Sequence, residues 1–345
     1  MKYTTLRNTD IKISKICLGT MTFGQQNSET EGHAQMDYAF EKGVNFFDTA
    51  EMYSVPAREE TYGSTEKIIG TWFKKTGKRE EIVLASKIAG PSPNFGYMRE
   101  KLDFSPQSIA TALDQSLQRL QTDYIDLYQL HWPERKSNMF GLRGFKVQED
   151  AWQDNIHAVL ETLEDFIKQG KIKQIGISNE TPWGIMRYLE EHKHHNLPRI
   201  RTIQNPYSLL NRQFEVASAE MCIRENLGLL AYSPLAFGIL SGKYLSGKML
   251  PNYRLALFPQ YSRYNSANSL EATAKYEKIA HKHGLSLTQM ALAFVNQQQF
   301  VTSSIIGAST VVQLKENIDS LNVDLSDEIL NEIDAVHAII PDPAP

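Results

Sequence analysis

The chain has 345 residues, 41% hydrophobic and 22% charged, with 36 Lys and Arg against 40 Asp and Glu for a formal charge of −4. That balance excludes a disordered tail protein, a collagen-like chain and a disulfide scaffold, and it offers no basic face for nucleic acid or an anionic membrane. The two cysteines, Cys17 and Cys222, fit a reducing compartment and make no metal-ligand spacing.

In chain order, the first segments (Tyr3 to Leu6, Lys12 to Ser14) alternate polar and apolar residues and are predicted as a short hairpin. No apolar stretch of signal-peptide length occurs there, and nowhere do about 18 apolar residues run together, so the expectation is a cytoplasmic protein. From Ile16 onward a unit recurs: a short apolar run, a polar break, then a segment of helical period. The runs are Ile16 to Leu18, Val44 to Phe47, Ile82 to Ala85, Ile125 to Leu130, Ile175 to Ile177, Thr202 to Gln204, Leu227 to Ala231 and Ser303 to Ile306. Several are apolar at nearly every position, as parallel strands buried on both faces are.

The intervening segments carry helix signals. Ser105 followed by Pro106 is an N-cap with proline in the first turn, and Ile109, Leu113, Leu117 and Leu120 form one stripe. Ile156, Leu160, Leu163 and Ile167 form another, closed by Gly170. Ser286 with Gln289 reads as a capping box, Leu314, Ile318 and Leu321 continue the pattern, and Ser326 opens a last helix. Eight strands alternating with helices predict a (β/α)8 TIM barrel rather than an open doubly wound sheet. With no Pro/Gly/Ser-rich linker, residues 1–345 are expected to form a single domain. The length exceeds a typical barrel by roughly 95 residues. That excess falls in Pro56 to Gly63, Pro91 to Asp103, Glu134 to Asp150 and Leu245 to Asn268, long loops expected at the C-terminal face.

Catalytic groups of barrel enzymes sit where strands end. The second strand runs into Asp48, with Tyr53 five residues on; the third runs into Lys87 and the fourth into His131. One carboxylate, one phenol, one ammonium and one imidazole would converge at one mouth. Tyrosine is a weak acid, with a reference pKa of about 10. A neighbouring ammonium stabilises its phenolate and is expected to lower that value. A neutral imidazole can orient a carbonyl oxygen, so the set is a general-acid device. It supplies no hydride, so the reductant would be a cofactor.

These residues resemble the Asp-Tyr-Lys-His tetrad of the aldo-keto reductases. The surrounding words do too: Leu18 to Gly24, Phe47 to Tyr53, Ala85 to Lys87, Asp126 to Pro133 and Gly307 to Thr310. Within that family the loop after His131 and the stretch Pro206 to Arg212 are most similar to the bacterial Tas-type branch, near the potassium-channel β-subunit group. The resemblance implies Tyr53 as acid, Lys87 and Asp48 as its tuners, His131 as the group that positions a carbonyl, and NADP(H) as cofactor. It further implies Gly19, Thr20 and Met21 beside the nicotinamide, with Asp48; Ser178, Asn179 and Gln204 on the carboxamide; and Tyr232 stacked on the ring. Ser233, Leu235, Gly238, Leu240 and Lys243 would wrap the pyrophosphate, and Gly307, Ser309, Thr310, Gln313, Glu316 and Asn317 would take the adenosine end. The latter group also reads as an ordinary strand, turn and helix, with Thr310 as N-cap. Some branches place a base where this chain has Gly307 and Gln313; here a 2′-phosphate would rest on Lys243 and the hydroxyls of Ser309 and Thr310.

No G-x-G-x-x-G follows a strand, and no metal is expected. His192, His194 and His195 read as a solvated helix end in preference to the alternative of a zinc site, His281 and His283 as a helix C-terminus before Gly284, and Tyr253, Phe258, Tyr261 and Tyr264 as aromatics covering a ligand. Two functions stay open: a reductase of a small aldehyde or ketone, or an NADPH-binding redox sensor with slow turnover. Neither the substrate nor the oligomeric state is legible.

Overall fold

The structure is a computed structural model describing residues 1–146 and 149–345. Val147 and Gln148, within the predicted loop Glu134 to Asp150, lie outside the described residues. Strand β1 (Tyr3–Thr5) pairs antiparallel with β2 (Lys12–Ser14), Tyr3 opposite Ser14. The chain continues through β3 (Ile16–Gly19), α1 (Glu29–Glu41), β4 (Phe46–Asp48), α2 (Ser64–Thr76), β5 (Val83–Ile88) and α3 (Pro106–Leu120). Next come β6 (Ile125–Leu130), α4 (Ile156–Lys168), β7 (Ile172–Ser178), α5 (Pro182–His195), β8 (Ile200–Pro206), α6 (Ser218–Arg224) and β9 (Gly228–Tyr232). The last elements are α7 (Arg254–Leu257), α8 (Ala267–Lys282), α9 (Leu287–Gln297), β10 (Val301–Ile306), α10 (Val311–Asp319) and α11 (Asp327–Ile339). Strands β3 to β10 close into a parallel barrel in which β10 pairs with both β3 and β9. This is the (β/α)8 architecture with the N-terminal hairpin that the apolar rhythm predicts.

Differences from the sequence reading have local causes. Strand β7 begins at Ile172, ahead of the run at Ile175, because the polar Lys173 and Gln174 find partners there, Lys173 donating to Asp126 (2.9 Å) and Gln174 accepting from Arg201 (2.8 Å). Ser286 does cap α9 by accepting from the Gln289 N–H. Its own hydroxyl donates to Glu316 (2.8 Å), and among the described residues no return bond from the Gln289 side chain forms. The reciprocal box is at Ser28 and Glu31 instead, opening α1. The stretch Leu245 to Asn268 carries α7 and a 3₁₀ turn at Ser262–Tyr264.

Strand periodicity sorts the barrel interior into layers. Cys17, Phe46, Ala85, Leu127 and Leu230 point inward and pack with Leu6 and Ile13, so the hairpin plugs the N-terminal mouth with apolar side chains. Two residues further along each strand, the same inward face carries Asp48, Lys87 and Gln129, all buried. The alternate residues, among them Phe47, Leu84 and Tyr128, point outward into the helix layer. An apolar plug below a polar layer leaves the reactive groups only one direction to face.

Candidate active site

The polar layer is one hydrogen-bonded unit. Lys87 Nζ donates to Asp48 Oδ1 (2.5 Å) and to the Thr49 carbonyl (2.7 Å). Asp48 Oδ2 accepts from the amides of Gln129 (3.2 Å) and Gln204 (2.8 Å). Burial acts to deprotonate Lys87, but the charge of Asp48 and the neighbouring Tyr53 outweigh it and hold the ammonium above its ordinary pKa. Lys87 is fully buried behind Asp48, whereas Tyr53 and His131 reach the cavity. The ammonium lies 4.9 Å from the centre of the Tyr53 ring, and the rings of Tyr53 and His131 meet edge-on at 5.7 Å.

One expectation is reversed. Burial raises the Tyr53 pKa, and the opposing pull of Lys87 does not compensate, so the phenol is a weaker acid than free tyrosine. For His131, burial and then the charge of Lys87 push the pKa well below the usual value, which keeps the imidazole neutral as expected. Its Nδ1 is buried without a hydrogen-bond partner among the described residues.

The turn that carries Tyr53 is anchored by a pair the sequence reading missed. Glu51 is fully buried, accepts from the Ala89 N–H (2.6 Å), and takes both oxygens to Arg99 Nη1 at 2.8 Å. Arg99 also bonds the Ala89 carbonyl (3.1 Å), so the loops after β4 and β5 are tied together. The signal was present as a charged residue between Asp48 and Tyr53, but its partner lies 48 residues away.

A cavity of about 1270 Å³ opens over this layer at the C-terminal ends of the strands. Gly19, Thr20, Met21, Ser178, Asn179 and Gln204 line it near Asp48, and so does Tyr232. Much of their bonding capacity is already used. Thr20 Oγ1 donates to the Asp48 carbonyl (2.8 Å), Ser178 Oγ to the Gln204 carbonyl (2.7 Å), and Asn179 Nδ2 to the His131 carbonyl (2.9 Å). Tyr232 donates to Asn179 Oδ1 (2.7 Å). Both amide hydrogens of Gln204 go to Asp48 and Gln129, leaving its side-chain oxygen Oε1 for a ligand. Gly19 has a packing reason beyond access: an added Cβ would lie 2.7 Å from Ile305. Met52, Phe95, Trp132, Met139 and Phe140 build an apolar wall beside Tyr53, with Trp132 6.1 Å from Phe95 and 6.2 Å from Phe140.

Towards β10 the lining changes character. Ser233, Leu235, Gly238 and Lys243 line the cavity, as do Gly307, Ser309, Gln313, Glu316 and Asn317. Leu240 and Thr310 do not. Leu240 is fully buried in the core, and Thr310 spends its hydroxyl capping α10. Ser309 donates to Gln313 (2.9 Å), and Asn317 fixes the turn through the Gly307 carbonyl (3.2 Å). An added Cβ at Gly307 would meet nothing within 4 Å, so this wall stands open. Arg254 also lines the cavity and was not anticipated; His281, expected only as a helix end, does so as well. Neither Lys243 nor Arg254 has a carboxylate partner among the described residues. Lys243 rests 4.9 Å from the Tyr253 ring and Arg254 5.2 Å from the Phe237 ring. Burial and mutual repulsion lower the pKa of Lys243, and burial lowers that of Arg254. Two desolvated cations without counterions mark a place for an anion.

Comparisons with known proteins agree with this architecture. The model of the Aldo/keto reductase family matches residues 15–338. The chain is 49% identical to Protein tas of Escherichia coli over 346 residues, covering 100% of both. It is 33% identical to the uncharacterized oxidoreductase YrpG of Bacillus subtilis, over 97% of this chain and 96% of that protein. It is 30% identical to the aldo-keto reductase yakc [NADP(+)] of Schizosaccharomyces pombe, over 92% and 85%. Among the described residues no helix is long and apolar enough to cross a membrane. A barrel of this topology, with this carboxylate, ammonium, phenol and imidazole at its mouth and a family match over nearly its whole length, belongs to the aldo/keto reductase family.

Proposed function

We propose that the protein, folded over residues 1–345 as one barrel domain, is an NADP(H)-dependent reductase of aldehydes or ketones with Tyr53 as proton donor. The observation that carries this reading is the pairing of Tyr53, Lys87 and His131 at one end of a cavity with two unneutralised cations, Lys243 and Arg254, in its wall. The residues fit a dinucleotide phosphate. The cations would hold its phosphates, the open turn at Gly307 would take the adenosine, and Asn179, Gln204 and Tyr232 would face the nicotinamide. When bound, the cofactor supplies the hydride that reaches the carbonyl carbon.

The chain's own groups account for the rest. A raised pKa keeps the Tyr53 phenol protonated at neutral pH, which is the state an acid needs. As the carbonyl oxygen gains negative charge, the phenol proton passes to it. The phenolate left behind is stabilised by the Lys87 ammonium, itself held charged by Asp48. Lys87 thus acts on the product side of the proton transfer rather than by making the resting phenol acidic. The neutral ring of His131 can offer an N–H to the same oxygen and fix its direction. The apolar wall of Met52, Phe95 and Trp132 favours a carbonyl carried on an apolar body and excludes water from the transfer.

The test is a panel of aromatic and aliphatic aldehydes and ketones, followed by loss of reduced-nicotinamide absorbance with NADPH and with NADH. Single-turnover reduction of at least one compound, with NADPH binding more tightly than NADH, is expected. Equal dissociation constants for the two nucleotides would remove the NADP(H) assignment.

A further inference from the structure

On the outer surface, away from the cavity, three side chains converge from two neighbouring helices. His157 stands in the first turn of α4, and Glu191 and His195 lie four residues apart in the last turns of α5. Glu191 Oε2 is 2.8 Å from His157 Nδ1 and 3.7 Å from His195 Nε2, and the three ligand atoms all lie within 4.8 Å of one another. The imidazole rings meet edge-on with centroids 4.9 Å apart.

The carboxylate is oriented rather than free. Arg187 Nη2 holds its other oxygen, Oε1, at 2.8 Å, and the same guanidinium is pinned by Asp154 (2.9 Å) and Glu190 (3.1 Å). Oε2 is thereby turned to the histidines, as carboxylate ligands are turned by outer partners in metal sites. Glu161 stands 3.5 Å from the remaining nitrogen of His157, and three carboxylates, those of Asp154, Glu190 and Glu191, contact Arg187. Both imidazoles are about half exposed while Glu191 is buried, which gives an ion a way in.

We propose that His157, Glu191 and His195 bind a divalent transition-metal ion of the zinc type and clip α4 to α5. Zinc takes imidazole nitrogen and carboxylate oxygen at about 2.0 to 2.2 Å, so tetrahedral ligand atoms stand about 3.4 Å apart. The spacings of 2.8 and 3.7 Å bracket that value, so modest side-chain rotations complete the geometry. Two imidazoles favour zinc, nickel or copper over magnesium or calcium, and three protein ligands leave a fourth position for water. The one other cluster of this kind among the described residues makes a useful contrast. At His283, Glu328 and Glu332 the Lys282 ammonium already sits on both carboxylates, at 2.5 Å from Glu332 and 3.4 Å from Glu328, and only one imidazole is present.

The experiment is titration of the full chain with Zn²⁺ and Ni²⁺ against a chromophoric chelator, alongside His157→Ala, His195→Ala, the double variant and His283→Ala. One ion per chain is expected, with affinity falling at least tenfold in each single variant at α4 or α5 and unchanged in His283→Ala. Zn²⁺ should raise Tm of the parent and not of the double variant, whose circular dichroism should match the parent. X-ray absorption of the zinc-loaded parent should report two imidazole nitrogens. Parental affinity in the double variant, or parental binding weaker than millimolar, would overturn the site.

Discussion

The two walls of the cavity handle charge in opposite ways. At the wall built by β4, β5 and β6, the buried charges are paired: Asp48 with Lys87, and Glu51 with Arg99. On the wall built by the segments after β9, Lys243 and Arg254 lean on aromatic rings and face no carboxylate among the described residues. A paired buried charge keeps a protein group in one protonation state and one place. An unpaired one is tolerated only if something arrives to neutralise it. The first wall is complete in the free protein, and under the proposed function the phosphates of the cofactor would complete the second.

That difference breaks first at Tyr53. Tyr53→Phe removes one hydroxyl from the paired wall and should lower kcat by about 10² to 10⁴, with NADPH affinity hardly changed. Lys87→Met should cost a similar factor, and the double variant should lose no more than the worse single, since both belong to one proton-donating unit. Stopped-flow hydride transfer at saturating aldehyde is the measurement; parental rates in Tyr53→Phe would end the proton-donor role. The pH dependence has a definite sign. With Tyr53 as the proposed donor, reduction would require the protonated phenol, whose pKa is raised, so the rate should hold through neutral pH and fall only above the ordinary phenol range. Because His131 is held neutral by its lowered pKa, no loss should appear on passing through the usual histidine range.

The contrast between paired and unpaired charge predicts opposite stability effects. Glu51→Gln leaves Arg99 buried without its counterion and should cost about 3 to 5 kcal/mol in urea unfolding. Lys243→Ala strands no partner and should stay within about 0.5 kcal/mol. A large loss from Lys243→Ala would mean that its wall, too, is internally paired. In binding the order reverses. Lys243→Ala and Arg254→Ala should each weaken NADPH by about 1 to 3 kcal/mol, the range for a charge-assisted contact, as read by quenching of tryptophan fluorescence.

The smallest effect on cofactor belongs to the loop after β6, which places Met139 and Phe140 on the apolar wall. Replacing residues 138–149 with a short turn should raise KM or alter the choice of carbonyl, while NADPH affinity stays within about 1 kcal/mol. Collapse of NADPH binding would assign this loop to the second wall.

The barrel itself was legible because its signals are local. Each strand is an apolar run a few residues long, and helix starts such as Ser105 with Pro106, or Ser326, are written within one turn. The candidate site residues were legible for the same reason, since Asp48, Lys87 and His131 each close or follow a readable strand. Partnerships were not. Asp48 and Gln204 are 156 residues apart, Glu51 and Arg99 are 48 apart, and His157 and Glu191 are 34 apart. A sequence read segment by segment cannot place such groups in contact, so His195 reads as a solvated helix end and Arg254 as one more loop residue. The direction of the Tyr53 shift was invisible for a related reason: it depends on how much water burial removes, and the chain order of Tyr53 and Lys87 says nothing about that. By itself the sequence determined the strands, the helices and the types of reactive group, because local periodicity and strand ends specify them. Only the tertiary structure decided which charges have a protein partner and which are left without one, because that depends on closing the barrel and shutting out water.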